Sequence, residues 1–272
     1  MIEIRRSSEW RSLLLDATRR VQSKASRTAA RGESTKSAGV GASGDVTLVA
    51  DKLAEEEIIR ALARVKDLRI VSEEAGEVGN SRSRLVAVVD PLDGSSNFER
   101  GIRFYCTSVA LAEGDTMQKV DMGLVRNLVT GDVYWAEKGK GSTKNGRSVT
   151  TSGTSSLAAA TLAIDLSRGS PDLTARLGPL ISSVKRQVHM GANALEICLL
   201  AEGTIDGFID LRKMMRVTDF AAASLIASEA GAVVTDLEGR PIDSRLDLKS
   251  RFSVVAASNR DLHEKILRAI AG

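Results

Sequence analysis

The stretch VVDPLDGSSNF, residues 88–98, decides how the middle of this chain folds. An apolar run ends at Asp90, and Pro91 restricts the residue before it to an extended conformation. Gly94 then allows a sharp turn in which bare backbone N–H groups can face a ligand, and residues 95–97 are types that begin helices. The stretch therefore predicts a buried strand, a tight turn and the start of a short helix.

The same turn places two carboxylates, Asp90 and Asp93, beside a helix N-terminus. Helix N-termini attract phosphate through their free N–H groups and their dipole. Converging carboxylate oxygens suit hard cations such as Mg²⁺. Asp, Pro and Gly are also ordinary turn formers, so a capped turn without chemistry remains an alternative for the stretch taken alone. The buried strand before it and the serines after it favour a site for metal and phosphate.

Acidic residues follow apolar runs at two other places in the chain. Glu73 and Glu74 come directly after RIVS, residues 69–72, and Asp219 begins an Ala-rich helical run that ends before Gly231. Taken alone, the glutamates are typical of surface acids, and Asp219 is typical of a helix N-cap with Gly231 as the C-terminal glycine. If these acids converge on the turn at 88–98, the resulting site would suit Mg²⁺ better than Zn²⁺, because no cysteine or histidine pair lies nearby in sequence.

Composition and charge exclude several classes of protein. The chain has 272 residues, of which 43% are hydrophobic and 27% charged, as in a soluble globular protein of one large or two tightly joined domains. A net charge of +3 from scattered basic residues does not indicate a nucleic-acid partner. The N-terminus lacks the apolar run of a signal peptide, and no apolar stretch reaches the length of a membrane span. We therefore expect a cytoplasmic protein without a membrane partner.

Cysteines and histidines are few, and neither type forms a recognisable framework. Cys106 and Cys198 lie in apolar runs, which predicts reduced core thiols rather than a disulfide. His189 and His263 are far apart in sequence, and we interpret each as a surface or core residue rather than a catalyst.

The first half of the chain is predicted to form two helices followed by a mostly antiparallel sheet. Apolar residues recur at helical spacing over residues 8–30 and 51–65. Between them, the Gly- and Ser-rich residues 32–45 predict a flexible loop, for which a plain linker and a mobile active-site flap both remain open. Strands are predicted at 68–74, 85–90, 104–112, 119–127 and 131–136, and a hairpin or tight loop at 138–149.

The second half alternates between strands and helices. Strands are predicted at 160–165, 205–210, 232–236 and 252–257, and helices at 172–184, 193–201, 219–230 and 261–270. This alternation is an α/β pattern, whereas the first half is α+β. We predict a boundary near residue 150, between a half with most of the acids, 1–150, and a half that contains Asp219, 151–272. Nothing near that boundary looks like a free linker.

Several motifs in order give the chain a resemblance to the inositol monophosphatase superfamily. The motifs are SEE (72–74), DPLDGSSNF (90–98), GKG and NG (139–141 and 145–146), GANALE with the later Asp206 (191–196), and VTDFAA with EAG (217–222 and 229–231). They cover nearly the whole chain, and together they are far more specific than any one of them. They look most like the archaeal-type branch, in which inositol monophosphatase and fructose-1,6-bisphosphatase activities often occur together.

The resemblance implies a layered α-β-α-β-α sandwich of the sugar phosphatase type. It implies a Mg²⁺-dependent phosphatase, commonly a homodimer, with two or three ions in each site and a small phosphorylated sugar or cyclitol as substrate. Direct attack of a metal-activated water needs no phospho-enzyme. A phosphatase of the haloacid-dehalogenase type is rejected, because its two acids stand two positions apart, whereas Asp90 and Asp93 stand three apart with Pro91 between them.

The resemblance also implies a role for each acid near the turn. The implied metal ligands are the side chains of Glu73, Asp90, Asp93 and Asp219 and the backbone carbonyl of Leu92. Gly94 and Ser95 are implied to bind phosphate through backbone N–H groups. Asp51, together with Ser95, is implied to orient and deprotonate the attacking water. Glu74 is implied to be a further acid beside the metal ligands, and a solvated surface residue remains an alternative for it.

The second half is implied to recognise the rest of the substrate. The implied substrate contacts are Asp93, Gly191, Ala192, Asn193, Asp210 and Asp219. Ala192 stands where the family usually has Ser or Thr, which leaves the contacts of this segment open. Asn193 with Glu196 three residues later is also consistent with plain helix capping.

Basic residues near the substrate side are candidate ligands for a second phosphate. Arg212 and Arg216 precede Asp219, and either could neutralise such a phosphate, although a solvated basic turn is equally consistent. The family often has an arginine at the position of Val188, and Arg186 is the candidate near it here. A second phosphate contact would favour fructose-1,6-bisphosphate as substrate.

Two alternative functions remain open at this point. A 3′-phosphoadenosine 5′-phosphate or NADP phosphatase shares the same metal motifs, but an aromatic content of 3% leaves few side chains to stack on adenine. A non-catalytic phospholigand binder on the same fold would not need Asp51, whose presence argues for an enzyme.

Overall fold

The structure is a computed structural model that describes residues 6–42 and 46–271. Its helices are α1 (Ser7–Ala30), α2 (Val49–Leu62), α3 (Ser95–Glu99), α4 (Pro171–Ser183), α5 (Asn193–Ala201), α6 (Val217–Glu229) and α7 (Arg260–Ala271). Its first ten strands are β1 (Ser37–Val40), β2 (Val46–Leu48), β3 (Arg69–Ser72), β4 (Gly76–Gly79), β5 (Leu85–Asp93), β6 (Cys106–Glu113), β7 (Val120–Asn127), β8 (Val133–Glu137), β9 (Ser142–Lys144) and β10 (Arg147–Val149). The later strands are β11 (Thr161–Ile164), β12 (Arg186–Val188), β13 (Gly207–Met215), β14 (Val233–Thr235) and β15 (Phe252–Ala257).

The larger sheet contains the turn at 88–98. Its eight strands lie in the order β10-β9-β8-β7-β6-β5-β3-β4, and β3 and β5 are parallel while the other neighbours are antiparallel. Asp90 pairs with Ser108 of β6, and the register then shifts before Asp93 pairs with Cys106. This bulge lies at the end of a strand that is buried on both faces. The predicted strand and turn are confirmed, and α3 is the predicted short helix.

The smaller sheet places the ends of β11 and β12 level with the middle of β13. Its five strands lie in the order β12-β11-β13-β15-β14, and β11 is parallel to both of its neighbours. The carboxyl ends of parallel strands meet at the same edge of a sheet, which is a common place for ligand sites in α/β folds. Asp165, His189 and Asp210 lie at this edge.

Three helical layers complete the sandwich. Helices α1 and α2 cover the outer face of the larger sheet through side chains such as Leu14, Val21 and Ile58. Helices α5 and α6 lie between the sheets, and α4 and α7 cover the outer face of the smaller sheet. The predicted α-β-α-β-α arrangement is confirmed.

The Ala-rich helix α6 packs against the larger sheet at very short range. A Cβ on Gly123 of β7 would lie 2.7 Å from the carbonyl oxygen of Ala222 in α6. Since no larger residue fits there, small residues on both elements allow the helix to approach the strand closely. The N-terminal strands and a C-terminal helix therefore share one core. The division at residue 150 falls between β10 and β11, and its status as a domain boundary stays a prediction.

Several predicted elements differ in detail from the structure. The Gly- and Ser-rich segment contains the unpredicted strand β1, which pairs with the unpredicted strand β2 directly after the segment, while residues 43–45 of the predicted flap lie outside the described residues. Strands β4 and β12 were missed because they are short and have few buried positions. The predicted Asn145-Gly146 hairpin is confirmed between β9 and β10. Among the helices of the described chain, none has the length and apolarity that a membrane crossing requires.

Two helix starts correct the predicted caps. Helix α6 begins at Val217, with Arg216 as its N-cap, so Asp219 is its third residue rather than its cap. Helix α5 has Ala192 as its N-cap, so Asn193 is its first helical residue. The side chains of Asp219 and Asn193 therefore do not have the capping role that the sequence suggested.

Candidate active site

The turn after β5 fixes its functional groups through local hydrogen bonds. The N–H of Leu92 donates to Oδ1 of Asp90 at 3.0 Å, and the hydroxyl of Ser95 donates to the carbonyl of Leu92 at 3.0 Å. Gly94 adopts a φ of 90°, and a Cβ there would lie 3.0 Å from the carbonyl oxygen of Phe104. Only glycine suits this left-handed and crowded position. The turn residues therefore set the positions of the acids.

Asp93 extends from this turn to the second half of the chain. Its carboxylate is buried and accepts hydrogen bonds from the N–H groups of Asn193 at 3.2 Å and Ala194 at 2.7 Å. These residues form the first turn of α5, where free N–H groups and the helix dipole favour an anion. The segment 191–193, which is predicted to contact substrate, is thereby held beside Asp93.

Glu73 and Asp219 approach Asp90 from two other elements. Glu73 follows β3, and its N–H donates to the carbonyl of Val89 at 3.2 Å. Asp219 lies in the first turn of α6. One carboxylate oxygen from each of Glu73, Asp90 and Asp219 lies within 4.8 Å of the other two. We call these three residues and Asp93 the acidic centre.

Burial raises the pKa of every acid in the acidic centre, and neighbouring acids raise it further for Glu73, Asp90 and Asp93. Burial raises the pKa of Asp90 well above its usual value, and the charge of Glu73 adds to this effect. Burial and the charge of Asp219 raise the pKa of Glu73 well above its usual value and that of Asp93 to about 8. Burial also raises the pKa of Asp219, although the charge of Arg216 opposes it. A raised pKa means that the charged form of a buried carboxylate is unfavourable, and a bound divalent cation would stabilise that form. Because all the ligands are oxygens, these residues fit Mg²⁺.

Arg216 lies against the acidic centre rather than in a solvated turn. Its Nη1 forms an ion pair with Oε1 of Glu73, and the two side chains are 19% and 17% exposed. Of the two interpretations of Arg216, the solvated one is therefore wrong.

Asp51 adds a further buried carboxyl near the turn. Its Oδ2 accepts a hydrogen bond from the N–H of Leu48 at 2.6 Å. Its Oδ1 is buried and has no hydrogen-bond partner within the described residues. Burial, together with the charge of Glu74, raises the pKa of Asp51 to about 7, although the Leu48 N–H and the Ser95 hydroxyl lower it. A carboxyl with a pKa near neutrality is suited to accept a proton.

Glu74 connects the β1–β2 hairpin to the site. The hydroxyl of Thr47 donates to Oε2 of Glu74, and the N–H of Ala42 donates to the backbone carbonyl of Glu74 at 2.9 Å. A Cβ on Gly41 would overlap the Glu74 carboxylate. Because the hairpin packs directly on Glu74, the interpretation of this residue as a solvated surface acid is wrong.

A second group of charges lies at the edge of the smaller sheet, and we call it the arginine network. Nε and Nη2 of Arg212 donate to the two carboxylate oxygens of Asp210 at 2.9 and 2.8 Å. Nη2 also pairs with Asp165, and Nη1 donates to the carbonyl of Ser167 at 2.9 Å. The Arg212 side chain is 9% exposed and that of Asp210 is fully buried. All three guanidinium nitrogens of this predicted phosphate ligand thus have protein partners.

His189 links the arginine network to the segment 191–193. Its Nε2 lies 3.5 Å from Asp165, and its Nδ1 lies 3.4 Å from Oε1 of Glu196. The same Glu196 oxygen accepts the N–H groups of Met190 at 2.8 Å and Gly191 at 2.7 Å. The hydrogen bond to Glu196 raises the pKa of His189, although burial opposes it. The contacts show that Glu196 and His189 position this segment.

Sequence reasoning missed Asp165 and the role of His189. Asp165 ends the predicted strand 160–165 just as Asp90 ends its own strand, so the same pattern could have found it. Arg186, by contrast, begins β12 and pairs with Thr161, at the opposite end of β11 from Asp165. Its side chain is exposed, and its predicted substrate contact has no support from this placement.

Comparison with known proteins identifies the family of this chain. The sequence signature of the inositol monophosphatase family matches residues 10–272. The chain belongs to the inositol monophosphatase family. A fructose-1,6-bisphosphatase/inositol-1-monophosphatase from Methanothermobacter thermautotrophicus is 40% identical over 242 residues, which cover 85% of each protein. The predicted enzyme class, a phosphoric monoester hydrolase, is confirmed.

A solved structure and a bifunctional enzyme are also similar to this chain. A solved structure from Pyrococcus horikoshii, described as a hypothetical protein with similarities to inositol-1 monophosphatase, has a TM-score of 0.83 and 31% identity. The match covers 97% of this family member and 99% of the solved chain. A bifunctional NADP phosphatase/NAD kinase from Methanococcus maripaludis is 33% identical over 249 residues, which cover 84% of this chain and 43% of that protein.

Proposed function

We propose that this protein is a Mg²⁺-dependent phosphatase that hydrolyses a phosphomonoester of inositol or a sugar. The observation that supports this proposal most strongly is the acidic centre. Carboxylate oxygens of Glu73, Asp90 and Asp219 lie within 4.8 Å of one another, and burial together with the charges of neighbouring acids raises the pKa values of Glu73 and Asp90. Such a group costs stability without a cation, and an all-oxygen set of this kind suits Mg²⁺.

The ligands that would hold two or three Mg²⁺ ions follow from the family motifs. They are Glu73, Asp90, the carbonyl of Leu92, Asp93 and Asp219. When bound, the ions neutralise charge on the phosphate and lower the pKa of a coordinated water. Asp93 remains tied to the first turn of α5 by its two N–H contacts, so its position does not depend on the metal alone.

The chain itself would position and deprotonate the attacking water. Oδ1 of Asp51 is buried without a partner among the described residues and belongs to a carboxyl whose pKa is about 7. This oxygen is the proposed acceptor for a proton of the water, and the Ser95 hydroxyl orients that water. The N–H groups of Gly94 and Ser95 are proposed to bind the phosphate at the turn, which Gly94 makes possible through its φ of 90°.

The sugar or cyclitol is proposed to lie against the segment 191–193. Glu196 and His189 hold this segment, and Asp210 of β13 lies beside the end of β11, where Ile209 pairs with Ile164. A homodimer, a cytoplasmic location and the absence of nucleic-acid and membrane partners stay predictions.

A phosphate-release assay with a panel of substrates tests the proposed function. The panel contains inositol-1-phosphate, fructose-1,6-bisphosphate, NADP and 3′-phosphoadenosine 5′-phosphate, each with Mg²⁺ and with EDTA. We expect Mg²⁺-dependent release from the first two, and we expect D93N to fold and to release no phosphate. Near-normal turnover by D93N, or release that EDTA does not affect, would contradict the proposal.

The comparison with the NADP phosphatase/NAD kinase favours a second candidate, an NADP phosphatase. The same assay separates the two candidates, because a preference for NADP or 3′-phosphoadenosine 5′-phosphate over the first two substrates would reverse their order. Stoichiometric Mg²⁺ binding without release from any substrate would instead support a non-catalytic phospholigand binder.

A further inference from the structure

Arg216 places a positive charge in the acidic centre that the proposed mechanism does not use. Its Nη1 forms an ion pair with Oε1 of Glu73, a residue 143 positions away in sequence. Glu73 is one of the carboxylates whose oxygens converge with those of Asp90 and Asp219. The guanidinium therefore contacts the same group that would hold the metal.

The backbone holds Arg216 in this position. The residue is the N-cap of α6, with an extended backbone (φ −100°, ψ 155°), and it connects β13 directly to the helix. Asp219 follows three residues later in the same first turn, and the charge of Arg216 acts on it as well as on Glu73. The side chain is only 19% exposed. The contact is thus part of the packed site and not a loose surface pair.

We propose that Arg216 is the counter-ion of the acidic centre when no metal is bound, and that it competes with Mg²⁺ for Glu73. The competition rests on the proposed function, since it requires that the acidic centre binds Mg²⁺. Buried carboxylates at short range are costly unless a positive charge compensates them. The planar guanidinium compensates them in the metal-free protein, and it repels a dication that approaches the same oxygen.

This role separates Arg216 from Arg212. The guanidinium of Arg212 is bonded to Asp210, Asp165 and Ser167 at the edge of the smaller sheet, whereas that of Arg216 lies on Glu73. A ligand of a second substrate phosphate affects binding only when substrate is present. A counter-ion affects the stability and the metal affinity of the protein without any substrate, because what stabilises the metal-free state weakens metal binding by the same free energy.

The test compares Arg216→Gln, Arg216→Lys and the control Arg245→Gln in phosphate-free buffer. Arg245 forms a surface pair with Asp115, and their side chains are 71% and 56% exposed. After EDTA treatment and dialysis, the thermal midpoint of each protein and its Mg²⁺ dissociation constant by calorimetry are measured. We expect R216Q to have a lower metal-free midpoint and to bind Mg²⁺ roughly tenfold more tightly, a change of about 1.4 kcal/mol. R216K keeps the charge and should lie closer to the wild type, and R245Q should match it.

An unchanged metal-free midpoint, or an unchanged or weaker Mg²⁺ affinity in R216Q, would overturn the proposal. If R216Q does not fold without metal, wild-type crystals with and without Mg²⁺ decide the question. The guanidinium should lie on Glu73 without Mg²⁺ and leave it with Mg²⁺, and an ion pair that persists in both would count against the competition. Failure of the wild type to bind Mg²⁺ at all would refute the proposed function, while the metal-free midpoints would still test the counter-ion.

Discussion

The acidic centre and the arginine network are both groups of buried carboxylates, yet their charges are balanced differently. In the arginine network, one guanidinium bonds both oxygens of Asp210 and also pairs with Asp165. In the acidic centre, Arg216 pairs with Glu73 while Asp90 lies within reach of three other acids that raise its pKa. The first group is complete within the fold, and the second requires further positive charge.

This difference indicates which group performs chemistry. A buried ion network with every guanidinium nitrogen bonded stabilises a local arrangement and has little left to offer a ligand. A buried group of acids with raised pKa values is typical of a functional site. The arginine network is thus a supporting structure for the segment 191–193, and the acidic centre is the group that we propose binds the metal.

The largest effect is expected from Asp90→Asn. Loss of this carboxylate should lower phosphate release about 1,000-fold, which corresponds to about 4 kcal/mol of transition-state stabilisation. The same change removes a charge that the neighbouring acids repel, so the metal-free variant should unfold at a higher temperature than the wild type. Activity assays and thermal unfolding in EDTA measure the two effects. If D90N were active, or less stable than the wild type without metal, the acidic centre would not differ from the arginine network in the way described.

Arg212→Gln should act in the opposite direction on stability. Removal of the guanidinium leaves the buried carboxylate of Asp210 without its bidentate partner, which typically costs about 3–5 kcal/mol. The loss should be present with and without Mg²⁺, and chemical denaturation in both conditions measures it. Stability equal to the wild type would show that the arginine network is not a structural unit.

Asp51→Asn is expected to change the pH dependence of stability. The pKa of Asp51 rises from 3.8 to about 7 on folding, so the folded state holds more protons between these values than the unfolded state does. Its contribution to stability is therefore present below pH 3.8 and is lost as the pH rises through about 7. The metal-free D51N variant should lose less stability over this range than the wild type.

Asp16→Asn is the control for this measurement. Asp16 lies on the surface of α1, where its side chain is 59% exposed. Denaturation midpoints at several pH values should follow the wild type for D16N and a flatter curve for D51N. Parallel curves for D51N and the wild type would mean that Asp51 does not titrate in this range.

The sequence predicted the acidic centre better than it predicted the arginine network. The strand and Pro-Gly turn identify Asp90 and Asp93, because local geometry directs these side chains. Glu73 and Asp219 were identified only by the ordered family motifs, since taken alone they are typical of a surface acid and a helix cap. Asp165, His189 and Arg212 come together because β12 and β13 are the parallel neighbours of β11. The spacing of these residues in the sequence does not reveal which strands are neighbours. The strands β1 and β4 were missed for a similar reason, since short strands without a buried face give no periodic signal.

Anomalous diffraction from crystals soaked in Mn²⁺ tests the central claim most directly. Mn²⁺ takes the same oxygen ligands as Mg²⁺ and can be located without ambiguity from its anomalous signal. The charge balance of the two groups predicts a peak among Glu73, Asp90 and Asp219 and none between Asp165 and Asp210. A peak at Asp165 and Asp210, or an acidic centre without a peak at saturating Mn²⁺, would contradict the account.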